Sequence, residues 1–581
     1  MRRSVAGVVL SVAAVATSLT AVPVGAAVTV GPDPSGVVQE FVVLSESGVD
    51  LSAARAAVAR AGGRIVKENA QIGSMLVEST SADFVARAEG EAALLGAARN
   101  RPVGRAPSLD RPSRDDVERL ASERVARRGR SSIAVPEVAP PAEPLAGLQW
   151  DMQQIRATSS GSYAVSQGSP EVLVGIIDTG INSSHPDIQS NFDARLSRNF
   201  TTDIPLIDGP CEDDPDGFCF DRADVDENGH GTHVASTIGS PINGLGIAGV
   251  APKVRLVNLR AGQDSGYFFL QATLDAYLYA GENGIDVVNM SYFTDPWLFN
   301  CTDNPADSPA EQQEQRIIRW ATQRAINYAR ARGVTPVSAA GNEGTDLGHP
   351  TEDLISPDYP PGNEKPRTID NSCLSVPTET GGVISISSTG VSKRKAYYSN
   401  YGTEQTDFAA PGGDYYDTPT NTGDPAALVL AAYPKALAMR NGELNPDGTP
   451  NTPFVVRNCK AGVCAYYQYL QGTSMASPHA AGVAALIVGE YGVDDDDHPG
   501  LTLSPRAVQR QLGRCRPPPE PARSPGTSPT SGSATTAPSA PRPTTAPDPC
   551  TTTGSTARAS STPSAPSAPR TVAVRTSAVN Q

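Results

Sequence analysis

The sequence predicts an α/β protein with a doubly wound, mostly parallel sheet, preceded by a small α+β unit and followed by a disordered tail. Two observations carry this prediction. Strand-like and helix-like patterns alternate over residues 146–515, a region long enough for a large parallel sheet. A shorter alternation occupies residues 28–104, whereas residues 516–581 are too poor in large apolar side chains to form a core.

Composition narrows the function before any motif is considered. The 581 residues include 62 Asp and Glu against 47 Lys and Arg, which gives a net charge of −15. That balance argues against a nucleic-acid partner held by a basic surface. Hydrophobic residues make up 39% of the chain, which is compatible with one or more globular cores.

Residues 1–27 have the pattern of a secretory signal peptide. Arg2 and Arg3 precede an uncharged run from Val5 to Val22, and small residues follow. The run is shorter than a membrane-spanning helix and is interrupted by Ser and Thr, and no later segment approaches the necessary length. We therefore expect a secreted, extracellular protein without a transmembrane anchor. A monomer is a separate expectation.

The cysteines become disulfide candidates because export places them in an oxidising compartment. Short loops close at low entropic cost, so proximity predicts the pairs Cys211–Cys219 and Cys459–Cys464. Cys301–Cys373 is then the longer bridge, and Cys550 is left to pair with Cys515. Scattered free thiols are the alternative.

The unit over residues 28–104 has a β-α-β-β-α-β order, which matches the ferredoxin-like split βαβ arrangement. Its segments are Phe41–Leu44, Leu51–Ala61, Gly63–Lys67, Ser74–Glu78, Ala82–Glu89 and Leu94–Ala98. Residues 105–145 are rich in Arg and broken by Pro, and this composition predicts an exposed linker. At the far end, Pro accounts for 14 of the 55 residues from Arg516 to Arg570, so we expect a disordered tail that folding does not need.

Asp178 ends an apolar run from Val172 to Ile177 that is typical of a buried parallel strand. Open α/β sheets place their sites at the carboxyl ends of such strands. Two alternatives exist: a turn residue that caps the strand, and one half of an aspartic-protease pair completed by Asp264. The second is weak, because Asp264 follows a polar stretch rather than an apolar strand.

His230 lies between glycines in Asn228-Gly229-His230-Gly231-Thr232-His233, just before a helix of small residues. Glycines leave room for a substrate backbone to approach the imidazole. His230 and His233 could instead form a metal pair, but no Glu follows in an H-E-x-x-H arrangement, so zinc is the weaker interpretation.

Ser474 precedes a small-residue helix with an early proline, Pro478. Free N–H groups at the start of that helix favour negative charge developing on an oxygen nearby. A helix N-cap is the plainer interpretation of a serine in this position.

These three stretches, together with Ala339-Ala340-Gly341-Asn342-Glu343-Gly344, resemble the subtilisin-like serine peptidases, whose catalytic residues follow in the chain order Asp, His, Ser. The resemblance implies that Asp178 orients the imidazole and that His230 acts as general base and then acid. It implies that Ser474 is the nucleophile and that Asn342 donates to the oxyanion.

The same resemblance implies that Ser291 and Gly341 bind the substrate backbone and that residues 28–104 are an inhibitor-type propeptide. The expected function is a secreted endopeptidase, made as a self-inhibited zymogen and activated by cleavage within residues 105–145. Its partners are protein or peptide substrates and its own propeptide, and the chemistry requires no cofactor or metal. The alternative is a catalytically silent or dedicated-processing domain that binds or cleaves one partner at the cell envelope.

The chain departs from the family pattern after Ser291, where Tyr292 and Phe293 stand in place of glycines and could narrow the cleft. Two insertions, Pro205–Asp226 and Thr294–Gln315, could rim it. The first insertion is acidic, so structural Ca²⁺ is possible, although the spacing fits no defined calcium loop and a solvated acidic loop is the favoured interpretation. Its carboxylates are Asp213, Asp214, Asp216, Asp221, Asp224 and Asp226.

Overall fold

The structure is a computed structural model, and it describes residues 36–100, 118, 143–211 and 217–514. The predicted signal peptide, nearly all of the predicted linker, the tail and the Cys515–Cys550 pair lie outside these residues. Within the part that is described, no helix is both long and apolar enough to cross a membrane.

The N-terminal unit is a four-stranded antiparallel sheet in the order β2-β3-β1-β4, with two helices on one face. Its elements follow the predicted order. The side chain of Asp50 caps the first helix by accepting from Ser52 N at 2.7 Å, and Gly62 ends that helix in the left-handed region at φ 91°. The elements are β1 Gln39–Ser45, α1 Leu51–Ala61, β2 Arg64–Asn69, β3 Ser74–Ser79, α2 Phe84–Glu89 and β4 Leu94–Arg99.

The second unit contains a seven-stranded sheet in the order β13-β12-β9-β8-β5-β7-β6, and every neighbouring pair is parallel. All five residues of β5 are buried, as expected for a strand covered on both faces. The strands are β5 Leu173–Ile177, β6 Arg198–Asn199, β7 Arg255–Arg260, β8 Val287–Met290, β9 Thr335–Ala339, β10 Glu352–Asp353, β11 Arg367–Thr368, β12 Ile384–Thr389, β13 Phe408–Pro411, β14 Val429–Ala432, β15 Val455–Lys460, β16 Val463–Leu470, β17 Val493–Asp494 and β18 Leu501–Thr502.

Helices cover both faces of this sheet, so the predicted doubly wound fold is confirmed. On one face α5 and α9 share a core with β5 and β12, and on the other α6 and α7 pack against the opposite side chains of β5. The helices are α3 Trp150–Gln154, α4 Pro205–Asp208, α5 His230–Gly239, α6 Leu270–Glu282, α7 Pro309–Ala331, α8 Lys435–Arg440, α9 Thr473–Tyr491 and α10 Pro505–Arg514.

The N-terminal unit lies against α6 and α7 through a mixed interface. Val42, Leu44 and Ala98 from its sheet join the apolar core beneath those helices. Polar contacts surround this apolar patch: Asn69 Nδ2 donates to Asp275 Oδ1 at 2.8 Å, and Arg324 Nη1 donates to two backbone carbonyls of the unit, each at 3.0 Å.

Three disulfides join Cys211 to Cys219, Cys301 to Cys373 and Cys459 to Cys464, so these predicted pairs are confirmed. The acidic insertion differs from the prediction, because Asp221 and Asp226 are buried rather than solvated. Asp221 pairs with the guanidinium of Arg260, and this cation offsets the cost of burying its charge.

Candidate active site

Asp178 and His230 meet at the carboxyl edge of the parallel sheet. Asp178 directly follows β5 and is fully buried, and His230 opens α5 after Gly229, which adopts a left-handed φ of 95°. His230 Nδ1 lies 2.7 Å from Asp178 Oδ1. Because an ionised carboxylate only accepts hydrogen bonds, this contact places a proton on Nδ1 and turns Nε2 toward the cleft.

Ser474 is the second residue of α9 and is 5% exposed. Pro478 lies four residues further along and has no N–H, so the carbonyl of Ser474 has no helical donor at that position. Ser291, which follows β8, supplies one instead: its Oγ donates to Ser474 O at 3.2 Å. The Ser291 hydroxyl therefore holds the start of α9, and its own carbonyl accepts from Ser474 Oγ at 3.5 Å.

Asn342 follows β9 and is fixed through its amide oxygen. Asn342 Oδ1 accepts from the backbone N and the Oγ1 of Thr473, each at 2.9 Å, and so the Nδ2 group faces the cleft. Gly341 has a φ of 102°, and its N–H donates to Thr473 Oγ1 at 3.0 Å. The structure thus brings Asp178, His230, Ser291, Gly341, Asn342 and Ser474 to one edge of the sheet.

Glu118 is the residue of this site that the sequence analysis missed. It falls in the predicted exposed linker, yet only 7% of it is exposed, so the prediction is wrong for this residue. Its Oε1 accepts from Asn342 Nδ2 at 3.1 Å, and its Oε2 lies 3.2 Å from His230 Nε2. A Cβ added at Gly472 would come within 2.7 Å of Glu118 Oε1, so the carboxylate lies directly against the backbone of this glycine.

The imidazole lies between two carboxylates, and this shapes its charge. Burial lowers the pKa of His230, but the negative charges of Asp178 and Glu118 outweigh burial and raise the pKa well above its ordinary value. Burial acts to raise the pKa of Glu118, but the His230 charge and hydrogen bonds from Ser474 and Asn342 hold it below its ordinary value. The arrangement therefore favours an ion pair between His230 and Glu118.

Asp226 anchors the His230 segment. Its carboxylate accepts from Gly229 N at 2.8 Å and Thr232 N at 2.9 Å, both at the start of α5, and from Thr179 Oγ1 at 3.1 Å. The strand that carries Asp178 and the helix that carries His230 are thereby joined. Asp226 stands four residues before His230, next to the free N–H groups at the start of a helix. This position in the sequence could have been used to predict its anchoring role.

The alternative interpretations of single motifs do not fit the geometry. Asp264 Oδ1 accepts from Arg260 Nη2 at 3.0 Å instead of pairing with Asp178. His233 Nε2 lies 3.1 Å from Gln468 O, so this nitrogen faces a backbone carbonyl and does not share a ligand position with His230.

In the described part of the acidic insertion, Asp221 belongs to a group of carboxylates that already surrounds a guanidinium. Among the described residues, one group of three carboxylates could hold a metal ion, namely Asp203, Asp221 and Asp264. The guanidinium of Arg260 pairs with all three, so a cation already occupies the centre of the group. Asp213, Asp214 and Asp216 lie outside the described residues.

The two aromatic residues that follow Ser291, Tyr292 and Phe293, line the cleft and are held by packing on the protein side. Tyr292 is 9% exposed, its ring stacks on Phe268 at a centroid distance of 4.2 Å, and its hydroxyl lies 2.6 Å from Tyr277 Oη. Phe293 packs against the apolar cluster around Leu298. These contacts leave a cleft of about 580 Å³ in front of Ser474.

Residues 169–512 match the model of the subtilase family. The chain belongs to the subtilase family. Subtilisin DY of Bacillus licheniformis is 28% identical over 321 residues, which cover 55% of this chain and 77% of that protein. The major intracellular serine protease of Bacillus subtilis (strain 168) is 28% identical over 317 residues, which cover 54% of this chain and 68% of that protein.

Among solved structures, the epidermin leader peptide processing serine protease of Staphylococcus aureus matches this subtilase with a TM-score of 0.52 at 20% identity. The match covers 78% of this chain and 89% of that chain, and it shows a shared fold. Family membership makes this subtilase a serine-type endopeptidase.

Proposed function

We propose that this subtilase is a secreted endopeptidase that cleaves peptide bonds through an acyl-enzyme on Ser474 and is made as a self-inhibited zymogen. One observation carries the proposal above the others. His230 is bonded through Nδ1 to Asp178 at 2.7 Å, which leaves Nε2 facing a cleft that Ser474 and Asn342 also line.

In the proposed mechanism, His230 Nε2 removes the proton from Ser474 Oγ as this oxygen attacks the substrate carbonyl. Asp178 stabilises the imidazolium that forms. Negative charge on the carbonyl oxygen is met by Asn342 Nδ2 and by the positive end of the α9 dipole. His230 then protonates the leaving amine, and water hydrolyses the Ser474 ester by the same steps. No metal or cofactor takes part in these steps.

The zymogen proposal is supported by the position of Glu118. Its carboxylate contacts His230 Nε2 and Asn342 Nδ2, the two groups that a substrate carbonyl and the attacking hydroxyl would use. A peptide substrate therefore has to displace Glu118, and cleavage within residues 105–145 would weaken its attachment.

The N-terminal unit completes the inhibited form, as an inhibitor-type propeptide anchored on α6 and α7. Secretion is supported by the signal-peptide pattern of residues 1–27 and by the three disulfides, which persist in an oxidising compartment. We expect protein or peptide substrates and a monomeric enzyme.

The test compares the wild-type chain with Ser474→Ala, each after removal of the propeptide, using hydrolysis of a general protein substrate and labelling by a serine-directed phosphonate. We expect both signals in wild type and neither in Ser474→Ala. Ser190→Ala, at an exposed serine outside the cleft, is the matched control and should behave as wild type. Equal labelling of Ser474→Ala and wild type would refute the nucleophile, and labelling without hydrolysis would favour a silent or single-partner domain.

A further inference from the structure

A buried histidine outside the catalytic centre lies on the helix that carries Ser474. His479 is in α9, five residues after Ser474, and 1% of it is exposed. Its Nδ1 lies 2.8 Å from Met475 O, and its Nε2 lies 3.0 Å from Asp151 Oδ2. Asp151 is fully buried, and its other carboxylate oxygen has no hydrogen-bond partner among the described residues. The proposed mechanism uses neither side chain.

The two contacts determine where the imidazole carries protons. A carbonyl oxygen only accepts hydrogen bonds, so Nδ1 of His479 carries a proton. Nε2 then either donates to the ionised carboxylate of Asp151 or accepts from its protonated form, and in both cases one proton lies between the two groups. The imidazole therefore links Asp151 to the backbone of α9 at Met475, the residue that follows Ser474.

The first turn of α9 depends on contacts of this kind. Pro478 has no N–H, so the carbonyl of Ser474 relies on Ser291 Oγ, which donates to it at 3.2 Å. The next carbonyl along the chain, that of Met475, accepts from the His479 ring. Side chains thus hold two consecutive carbonyls at the point where the nucleophile lies, and we expect this turn to shift when one of these contacts is removed.

Asp151 lies on a segment that is fixed to the rest of the catalytic domain. The adjacent Trp150 donates from Nε1 to Leu428 O at 2.9 Å. Gln149 donates from Nε2 to Ala248 O at 3.0 Å, and its Oε1 accepts from Ala248 N at 3.2 Å. Because these contacts hold α3 in place, the Asp151 carboxylate is a fixed support for α9.

We propose that Asp151 and His479 are positioning residues for the reaction. Their contact holds the first turn of α9, and with it Ser474 Oγ, in the geometry that proton transfer to His230 Nε2 requires. A misplacement of about 1 Å can cost about 10²-fold in rate, so a buried contact that does not line the cleft can still control turnover. The inference rests on the proposed function, because it takes Ser474 as the nucleophile.

The test compares wild type with Asp151→Ala, each after removal of the propeptide, on one peptide substrate. Phosphonate labelling run to completion counts the intact active sites. In Asp151→Ala, kcat per labelled site should fall about tenfold or more, because Ser474 is no longer held in place. KM should stay within about twofold, since most of the cleft is lined by other segments, such as residues 265–268 and 354–355.

A conservative variant and a control separate positioning from stability. Asp151→Asn should keep kcat within about threefold of wild type, since its amide can donate to Nε2 of a neutral His479. Asp286→Ala is the matched control, because Asp286 is also a buried carboxylate but accepts from Leu173 N, at 2.8 Å, at the opposite edge of the sheet. It should lower the thermal unfolding midpoint and leave kcat per labelled site within about twofold.

If Asp151→Ala does not fold, Asp151→Ser, whose side chain is too short for the contact with His479, replaces it with the same expectation. Two outcomes would overturn the inference while the proposed function stands. One is a kcat per labelled site within about twofold of wild type in Asp151→Ala or its replacement. The other is an Asp151→Asn variant that is equally slow. If wild type is neither labelled nor active, the proposed function fails and the inference fails with it.

Discussion

Two groups of buried charges in this protein have similar compositions, but one belongs to the candidate active site and the other stabilises the fold. In one, His230 lies between the carboxylates of Asp178 and Glu118. In the other, Arg367 lies between Asp307 and Asp353, at 2.8 and 2.5 Å, with all three side chains fully buried. Each places a cation between two carboxylates.

The two groups differ in the type of cation and in whether a substrate can reach it. A guanidinium does not lose its proton in proteins, and Arg367 is further held by donating to Phe299 O at 2.6 Å and by the Trp297 ring, 4.7 Å from its centre. An imidazole can lose its proton, and His230 faces a cleft. A buried ion pair becomes reactive when its proton can leave and a substrate can reach it.

The largest effect should come from His230→Ala. Turnover should fall by about 10⁶-fold, a magnitude taken from subtilisin itself, because Ser474 loses its base. The thermal unfolding midpoint should fall as well, since Asp178 stays fully buried without its cation and keeps Thr179 N, at 2.8 Å, as a donor. Peptide hydrolysis and calorimetry measure the two quantities. A loss of activity that only follows a loss of folded protein would contradict the assignment.

Arg367→Met should affect stability and not chemistry. Removing the cation leaves Asp353 buried beside an apolar side chain, while Asp307 keeps Lys365 Nζ at 3.2 Å, so the free energy of unfolding should fall by about 3–5 kcal/mol. Urea unfolding in a Ser474→Ala background measures this without self-digestion, and Arg367→Lys, which keeps the charge, should be milder. A change below about 1 kcal/mol would show that the two groups of charges do not differ as argued.

Glu118→Gln should turn the precursor into a faster self-processor, by roughly tenfold. The amide keeps the shape but loses the charge-assisted contact with His230, which is worth about 1.5–3 kcal/mol. Band intensities on a gel over time give the rate. Glu123→Gln, an acidic residue five positions along the same segment, is the control and should process at the wild-type rate. Equal rates for Glu118→Gln and wild type would refute the inhibitory contact.

The same contact predicts a pH dependence. The pKa of His230 is raised, so its contribution to the stability of the ion pair is complete below about pH 6.5. This contribution is lost as the pH rises through the raised pKa. The pKa of Glu118 is lowered, so its contribution to the stability of the ion pair is present above about pH 4.3. This contribution is lost as the pH falls through the lowered pKa. Phosphonate labelling of the precursor should therefore be slowest between these limits and accelerate at higher pH. Glu118→Gln should lower the midpoint of that acceleration, and an unchanged midpoint would count against the ion pair.

The smallest effect should come from an ion pair on the surface. Arg55 Nη2 lies 2.7 Å from Glu68 Oε1, but 51% of the Arg55 side chain is exposed to water. Arg55→Ala should change the free energy of unfolding of the precursor by less than about 1 kcal/mol. A larger loss would mean that burial is not what separates strong from weak pairs in this protein.

The sequence was sufficient for the parallel sheet and for Asp178, His230 and Ser474, because each lies where a local pattern changes: a buried strand ends or a helix begins. The disulfides Cys211–Cys219 and Cys459–Cys464 followed from proximity along the chain. The N-terminal unit has the expected order of elements, while its role as a propeptide, and the domain boundaries, stay predictions.

Glu118 could not be predicted in the same way. Its surroundings in the sequence are polar and charged, and its contact with Asn342 spans 224 residues, so no periodicity marks it. Asp226 was misjudged because an acidic loop was expected to be solvated as a whole. In the structure, each described carboxylate of this loop has its own environment. Asp221 pairs with a guanidinium, and Asp226 accepts from N–H groups at a helix start.

The mixed interface beneath the N-terminal unit determines how the proposed inhibition should end. While the chain is intact, the effective concentration of the N-terminal unit at α6 and α7 is fixed by covalent attachment. It does not depend on the protein concentration. Once the linker is cut, rebinding is bimolecular and follows mass action. Asn69 and Lys67 contact the Asp275 carboxylate in the intact chain. After separation, water can hydrate this carboxylate, so no charge is left buried without a partner. Active enzyme should therefore emerge with a lag that shortens on dilution after cleavage.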